Sequence, residues 1–205
     1  MSQAEGYIKF NQEFRHGPPP PWDTLRELNL ARTRLFDLGL IGMDEDGTGF
    51  GNVSVRSPKG EAGLFMVSGT ATGNKRVLEP EDYAVVLDYD IARNSLASLG
   101  RTRASSESLS HAAVYSARGD VVSVIHVHSR PLYAGMLKEG FPRTSPEAEY
   151  GTPEIATDIR DIAIAADEAS GALVMLAHQD GVIAYGGSVQ EAEALLTALY
   201  KRFPG

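Results

Sequence analysis

The chain contains no cysteine. This absence excludes disulfide bridges, thiolate metal ligands and a cysteine nucleophile. A metal ion would therefore have to be held by histidine or carboxylate side chains, and only five of the 205 residues are histidines. The positions of these five residues are the first guide to function.

Basic charge and long apolar runs are also scarce. Lys and Arg number 19 against 27 Asp and Glu, which gives a net charge of −8 at pH 7. Nucleic acids and anionic membranes attract basic surfaces, so neither is expected as the main partner. The longest strongly apolar stretch, near residues 173–177, is far shorter than the ~20 residues of a membrane helix. The N-terminus also lacks the pattern of a secretion signal, and we expect a cytoplasmic protein.

The composition predicts two regions. Residues 1–22 are polar and end in Gly17 followed by four prolines, which predicts an extended or flexible N-terminal arm. From residue 23 onward, helical and strand patterns alternate without a dividing linker, so residues 23–205 are predicted to form a single α/β domain. The predicted helices begin near residues 23, 105, 153 and 188, and the predicted strands are 52–56, 64–67, 84–88, 121–128, 173–176 and 182–185.

Two histidines end a strongly apolar predicted strand. His126 and His128 are two residues apart, and side chains at this spacing point to the same face of a strand. Two adjacent imidazoles can bind a divalent transition metal. On the preceding predicted helix, Glu107 and His111 lie one turn apart and share a face. Glu107 is a candidate metal ligand, a candidate base or a solvated first-turn residue, whereas His111 is expected to be structural.

A third histidine precedes a predicted turn. His178 lies at the end of a predicted strand, just before Asp180 and Gly181. The Asp-Gly pair is also typical of an ordinary turn. If the strand continued, His178 and Asp180 would share a face, and both are therefore candidates for a third metal ligand.

Three polar segments have the composition of an anion-binding site. Residues 51–54 follow a glycine-rich loop, residues 68–73 combine hydroxyls with small residues, and Ser105-Ser106 is placed to cap a helix. Backbone amides in such segments can bind an oxyanion. The phosphate-binding P-loop pattern is absent. Each segment alone is equally typical of a polar loop.

In their order along the chain, these motifs resemble the class II aldolase and adducin superfamily. The resemblance extends from Leu25 to Leu199. The residues that carry it are Gly51-Asn52-Val53-Ser54-Val55-Arg56, Ser68-Gly69, Ser105-Ser106-Glu107 with His111, Val124-Ile125-His126-Val127-His128-Ser129, Gly181-Val182-Ile183 and the helix of residues 188–199.

The resemblance implies a fold and a site. The fold would be a three-layer α/β/α sandwich with a central, mostly antiparallel sheet, assembled as a homotetramer with sites between subunits. The cofactor would be a divalent metal, with zinc expected, held by three histidines of which the first two match His126 and His128. Glu107 would be the catalytic acid/base. The substrate phosphate or carboxylate would be bound by residues that match Asn52, Ser68, Gly69, Ser105 and Ser106.

Two departures from the family pattern leave alternatives open. The family's third histidine directly precedes the glycine, where this chain has Asp180. We prefer His178 as the ligand, because a third neutral imidazole fits a zinc site, and Asp180 remains the alternative. The segment between His128 and the next helix, which would carry a catalytic tyrosine, is short. Tyr133 and Tyr150 are available there, but neither can be matched to the family's tyrosine.

The expected function is metal-dependent carbonyl chemistry on a small hydroxy-ketone, sugar phosphate or sugar acid. The metal would stabilise an enediolate formed by aldol cleavage, and Glu107 would carry the proton. The same site could serve an epimerase, a dehydratase or a decarboxylase, since fold does not decide the reaction. A non-catalytic adducin-like scaffold and a sugar-acid sensor are alternatives. The presence of Glu107, His126 and His128 together argues against the scaffold.

Overall fold

The computed structural model describes residues 8–58 and 63–204, and the dominant feature of this part is an eight-stranded sheet. The strands are β1 (Asn11–His16), β2 (Gly42–Met43), β3 (Gly49–Phe50), β4 (Asn52–Arg56), β5 (Phe65–Ser68), β6 (Tyr83–Asp90), β7 (Ser95–Gly100), β8 (Ser123–His128), β9 (Gly171–Val174) and β10 (Gly181–Gly186). The α-helices are α1 (Trp22–Asp37), α2 (Ser108–Ala117), α3 (Arg130–Lys138), α4 (Pro153–Ala165) and α5 (Val189–Arg202). The strand order in the large sheet is β1-β7-β6-β5-β4-β8-β10-β9, and a short hairpin of β2 and β3 lies apart from it. All neighbouring strands in the large sheet are antiparallel except β1 and β7.

Helices cover both faces of this sheet. On one face, α1, α3 and α5 pack on residues such as Val53, Ile125 and Val182. On the other face, α2 and α4 pack on residues such as Val124 and Ile183. Because successive strand residues point to opposite faces, each buried strand contributes to both cores. The predicted three-layer α/β/α sandwich with a mostly antiparallel sheet is confirmed.

Strand register brings the candidate residues together. Asn52 on β4 lies opposite His126 on β8, and Gly181 at the start of β10 lies opposite His128. Residues that are directly opposite in a sheet have side chains on the same face. Ile125 and Val127 point into the other core, so the two histidines emerge on the side covered by α2. The site therefore lies where strands β4, β8 and β10 meet the start of helix α2.

The N-terminal residues predicted to form an arm include strand β1. It pairs in parallel with β7, from Asn11 opposite Ser95 to His16 opposite Gly100. Phe10, immediately before β1, is buried in the core beneath α2 and α4. Residues 1–7 of the predicted arm lie outside the described residues. No helix in the described ranges is long and apolar enough to cross a bilayer.

Two local predictions differ from the structure at element boundaries. Ser105 and Ser106 do not cap α2, which begins at Ser108 with Glu107 as its N-cap residue. Instead, the backbone carbonyl of Ser105 accepts from the amide of Ser108, so the serine pair forms a turn before the helix. The strand predicted over residues 173–176 ends at Val174 and does not continue to His178. Asp180 has a φ of 58°, so His178 and Asp180 do not lie on one face of an extended strand.

Candidate metal centre and adjoining recess

Three imidazoles converge at the end of strand β8. Nε2 of His128 lies 3.0 Å from Nε2 of His126 and 3.2 Å from Nε2 of His178. His126 and His128 share a face of β8, whereas His178 comes from the turn between β9 and β10. Within the described residues, His126, His128 and His178 form a group that could hold a metal ion, with ligand atoms within 4.8 Å of one another.

The donor set fits a zinc-type ion. Two nitrogens bound to a tetrahedral zinc lie about 3.3 Å apart, given Zn–N bonds of about 2.0–2.1 Å. Two of the separations in the histidine cluster are close to that value. Nδ1 of His126 donates to the carbonyl of Val182 at 3.1 Å, and this tautomer leaves Nε2 with a free lone pair. The cluster is therefore arranged as a set of metal ligands.

The protein environment keeps two of these imidazoles neutral. Burial lowers the pKa of His126 well below its usual range, and neighbouring His128, His178 and His111 add to the effect. Burial lowers the pKa of His178 to about 3, with further contributions from His128 and the Lys9 ammonium. Neutral imidazole is the form that binds metals, so these two side chains are ready to act as ligands at neutral pH.

Glu107 places a carboxylate beside the cluster. Its Oε1 lies 3.4 Å from Nε2 of His178, and its Oε2 accepts a hydrogen bond from Ser110 Oγ at 2.8 Å. Only 3% of Glu107 is exposed, so the interpretation of Glu107 as a solvated first-turn residue is wrong. The position suits either a metal ligand or an acid/base next to a bound substrate.

A polar recess adjoins Glu107. It is small and open to solvent on one side, and its lining within the described residues includes no Lys or Arg. Asn52 Oδ1 is buried without a hydrogen-bond partner in the described part of the chain. Because an unpaired buried acceptor costs about 1–3 kcal/mol, this oxygen is suited to a donor from a ligand or a water. The recess is lined by Gly49, Gly51, Asn52, Gly69, Thr70, Ala71, Thr72, Gly73, Ser105, Ser106 and Glu107.

Gly51 allows the recess and the histidine strand to approach closely. Its φ is +75°, a left-handed conformation that favours glycine. A Cβ at this position would lie 2.8 Å from Ile41 and 3.2 Å from the carbonyl oxygen of His126. A side chain there would therefore collide with Ile41 and crowd the backbone of β8 at the site.

Ser68 is the predicted substrate-binding residue that does not line the recess. Its hydroxyl accepts a hydrogen bond from the backbone amide of Val53 at 3.1 Å. Ser68 therefore joins β5 to β4 and supports neighbouring Asn52 and Gly69. The other four residues predicted to bind the substrate anion do line the recess.

The structure brings His178, and not Asp180, to the two strand histidines. Asp180 lies on a separate, open cavity of about 270 Å³, together with His128, Arg130 and Asp44. It does not belong to the group of potential ligands found among the described residues. The turn places the imidazole of His178 inward, and it is only 6% exposed.

His111 is buried beneath the site and is not part of the histidine cluster. Its Nδ1 lies 2.6 Å from Ser54 Oγ, which in turn lies 2.8 Å from the hydroxyl of Tyr115. Burial lowers the pKa of His111 to about 3, so the ring is neutral. These contacts fit the structural role expected for this residue.

Of the aromatic residues at the site, Tyr150 was one of two candidate tyrosines in the sequence, and Phe50 was not identified. The ring of Tyr150 stacks on His178 with centroids 4.7 Å apart and planes at 11°. The ring centroid of Phe50 lies 5.6 Å from that of His128. The hydroxyl of Tyr133 donates to the carbonyl of Leu176, so of the two candidate tyrosines it is Tyr150 that stacks on the cluster. No local pattern in the sequence marks either aromatic contact.

The buried histidines predict an acid-sensitive fold. Their folded-state pKa values lie well below the unfolded value of about 6.5, so protons bind preferentially to the unfolded chain. The contribution of these neutral histidines to the free energy of unfolding is present above the unfolded pKa of about 6.5. It is lost progressively as pH falls from 6.5 toward 3. At pH 5.5, His111 and His178, whose pKa values are about 3, each lower the free energy of unfolding by about 1.4 kcal/mol, and His126 acts in the same direction. Thermal unfolding of metal-free protein should show a clearly lower Tm at pH 5.5 than at pH 7.5, and an unchanged Tm would contradict this description.

Comparison with solved structures shows the same fold in several aldolases. L-fuculose-1-phosphate aldolase from Thermus thermophilus has a TM-score of 0.63 at 22% identity, covering 88% of this chain and 91% of that one. Sugar-phosphate aldolase from Thermotoga maritima has a TM-score of 0.65 at 17% identity, covering 88% of this chain and 91% of that one. YgbL from Klebsiella pneumoniae, a candidate aldolase/epimerase/decarboxylase, has a TM-score of 0.65 at 19% identity, covering 88% of this chain and 86% of that one.

No curated protein matches the chain. The sequence model of the Class II Aldolase and Adducin N-terminal domain matches residues 38–203, which include all the candidate site residues. This match covers far more than half of the 205 residues. The chain therefore belongs to the class II aldolase and adducin N-terminal domain family.

Proposed function

We propose that the protein is a zinc-dependent lyase of the class II aldolase type, acting on a small hydroxy-ketone, sugar phosphate or sugar acid. The observation that carries the proposal is the meeting of three imidazoles with a buried carboxylate, whose Oε1 lies 3.4 Å from His178. A structural metal site needs no such carboxylate beside a polar recess, whereas carbonyl chemistry needs both.

The residues have separate roles in this proposal. His126, His128 and His178 would hold the metal. When bound, the metal supplies Lewis-acid polarisation of the substrate carbonyl. Glu107 moves the proton between the substrate and solvent, and Ser110 Oγ holds its second oxygen in place. Because Glu107 is almost fully buried, its carboxylate acts in a medium where electrostatic interactions are strong.

The recess would bind the anionic end of the substrate. The amides of Gly69 and Thr70 already donate to backbone carbonyls elsewhere. The polar groups of the recess would be the side chain of Asn52, the hydroxyls of Ser105 and Ser106 and the remaining backbone amides of the 69–73 loop. Such neutral donors bind phosphate or carboxylate by converging dipoles. Within the described lining no cationic side chain assists, so the metal would supply most of the positive charge.

The names of the structural relatives support this substrate class. Two of them are aldolases of L-fuculose 1-phosphate and of a sugar phosphate. YgbL supports a second candidate in the same site, an epimerase or a decarboxylase. We also propose that the protein forms a homotetramer, as the family resemblance implies, and that it is cytoplasmic, as expected from the sequence.

A substrate screen tests the proposal. The purified protein is incubated with phosphorylated and unphosphorylated hydroxy-ketones and sugar acids, and products are identified by mass spectrometry. We expect cleavage of a carbon–carbon bond in at least one compound. Epimerised, dehydrated or decarboxylated products would support the second candidate or another reaction of the same site. Absence of turnover across the screen, with metal bound, would contradict the enzyme proposal.

A further inference from the structure

The three imidazoles of the cluster are held in place in different ways. His126 and His128 lie on β8, and His126 is also hydrogen-bonded to the carbonyl of Val182. His178 instead lies in the turn between β9 and β10. Its ring is therefore oriented by the side chains around it, which include the Glu107 carboxylate at 3.4 Å from Nε2 and the ring of Tyr150.

Tyr150 packs on the ring of His178. Its ring lies nearly parallel to the His178 ring, with centroids 4.7 Å apart, and only 6% of each residue is exposed. A flat aromatic surface at this distance restricts rotation of the imidazole while leaving its edge nitrogens available. The orientation of His178 thus depends on where Tyr150 is held.

Lys9 contacts Tyr150 in two ways. Its Nζ donates a hydrogen bond to the backbone carbonyl of Tyr150 at 3.0 Å. The same Nζ lies 4.8 Å from the centroid of the Tyr150 ring, which is cation–π distance. The stem of Lys9 packs on Gly151, whose φ is +73°, and a Cβ at Gly151 would lie 3.0 Å from that stem.

The segment that carries Lys9 is firmly attached to the domain. Phe10 is buried in the core, and Asn11 begins β1. Asn94 donates through Nδ2 to the carbonyl of Gly151 at 3.2 Å, and its own backbone carbonyl accepts from the amide of Asn11 at 2.9 Å. The N-terminal segment and the Tyr150 turn are thus connected through one asparagine. Lys9 precedes residues 38–203, which the family's sequence model matches.

We propose that Lys9 is a positioning residue of the metal centre: from the N-terminal segment it holds Tyr150 against His178 and so keeps this imidazole directed at His126 and His128. The inference rests on the metal-binding part of the proposed function and not on the reaction. Lys9 contributes no ligand itself. Its effect is on how tightly and how uniformly the metal is held.

Metal retention in Lys9 variants tests this proposal. Lys9→Met keeps the aliphatic stem but removes the charge and the hydrogen-bond donor, and Lys9→Arg restores both. We measure the rate at which a chelator removes Zn²⁺ and the visible absorption spectrum of the Co²⁺-substituted protein. Lys9→Met should lose Zn²⁺ about tenfold faster than the wild type, as expected for loss of a group that orients a ligand. Its Co²⁺ spectrum should change, and Lys9→Arg should restore both properties.

Two further variants make the test specific. Arg15→Ala removes a cation from the same segment, where Arg15 forms an exposed ion pair with Glu13, and it should behave as the wild type. Tyr150→Leu should release metal as fast as Lys9→Met does, and the double variant should be no faster, because both act through one contact.

Each alternative outcome has a definite meaning. Wild-type metal retention in Lys9→Met, or additive effects in the double variant, would overturn the positioning role. If Lys9→Met does not fold, Tyr150→Leu alone decides, because Lys9 acts through Tyr150: metal release at the wild-type rate in that variant would overturn the positioning role. A wild-type protein that binds no metal would overturn the metal centre itself, and with it the role of Lys9.

Discussion

Glu107→Gln is expected to lower turnover by about 10²–10⁴-fold while leaving the metal bound. Glutamine keeps the size of the side chain, and its amide oxygen can still accept the hydrogen bond from Ser110 Oγ. What it loses is the ability to take up and release a proton. The measurement is kcat on the substrate found by the screen, together with metal content by elemental mass spectrometry.

An exposed carboxylate provides the matched control. Glu81→Gln makes the same chemical change on the short 3-10 helix of residues 80–82, on the protein surface, and should not alter kcat. If Glu107→Gln loses its metal, Glu107 is a ligand and not primarily an acid/base. If it keeps both metal and full activity, the mechanism proposed for Glu107 is wrong.

His178→Ala is expected to weaken metal binding by at least about 100-fold, because it removes one of three nitrogen ligands. Asp180→Asn is the matched comparison, since Asp180 lies only two residues away but faces the separate cavity with Arg130. The metal affinity of Asp180→Asn should stay close to that of the wild type. Both affinities are measured by competition with a chromophoric chelator.

The opposite pattern would reassign the third ligand. If Asp180→Asn lost the metal and His178→Ala retained it, the turn would have to rearrange on binding so that Asp180 replaced His178. Equal, small effects would show that His126 and His128 hold the ion without help from this turn.

Strands with strong side-chain signals were predictable from the sequence. β4 (Asn52–Arg56) was predicted with the bounds that the structure has, because its valines alternate with polar residues that face α2. By contrast, β7 (Ser95–Gly100) was missed, since it is composed of small residues and leucines without a β-branched side chain. The polar strand β1 is an edge strand held by backbone pairing with β7, which no local pattern reveals.

Helix α3 was missed although a local signal was present. Ser129 caps the helix through its side chain, and Pro131 occupies its first turn. These residues directly follow His128, and the short nine-residue helix has only two fully buried side chains, Leu132 and Met136. A weak apolar pattern of this length cannot be distinguished from a loop without its tertiary contacts.

The candidate site shows the same division between local and long-range information. The pairing of His126 with His128 follows from the two-residue period of a strand and needs no other knowledge. The contact between Lys9 and Tyr150 joins residues 141 positions apart, so only the folded chain reveals it. Ser68 has the right residue type for anion binding, but its hydroxyl is used by the backbone of β4.

The proposed function requires one divalent metal, held by His126, His128 and His178, for carbonyl chemistry. This requirement is measured by stripping the metal with a chelator and returning Zn²⁺ in portions while turnover is followed. Turnover should disappear on stripping and rise again to a plateau at one equivalent per chain, and His126→Ala should not recover. Undiminished turnover in fully metal-free protein, or full recovery of His126→Ala at one equivalent, would show that this metal centre is not needed.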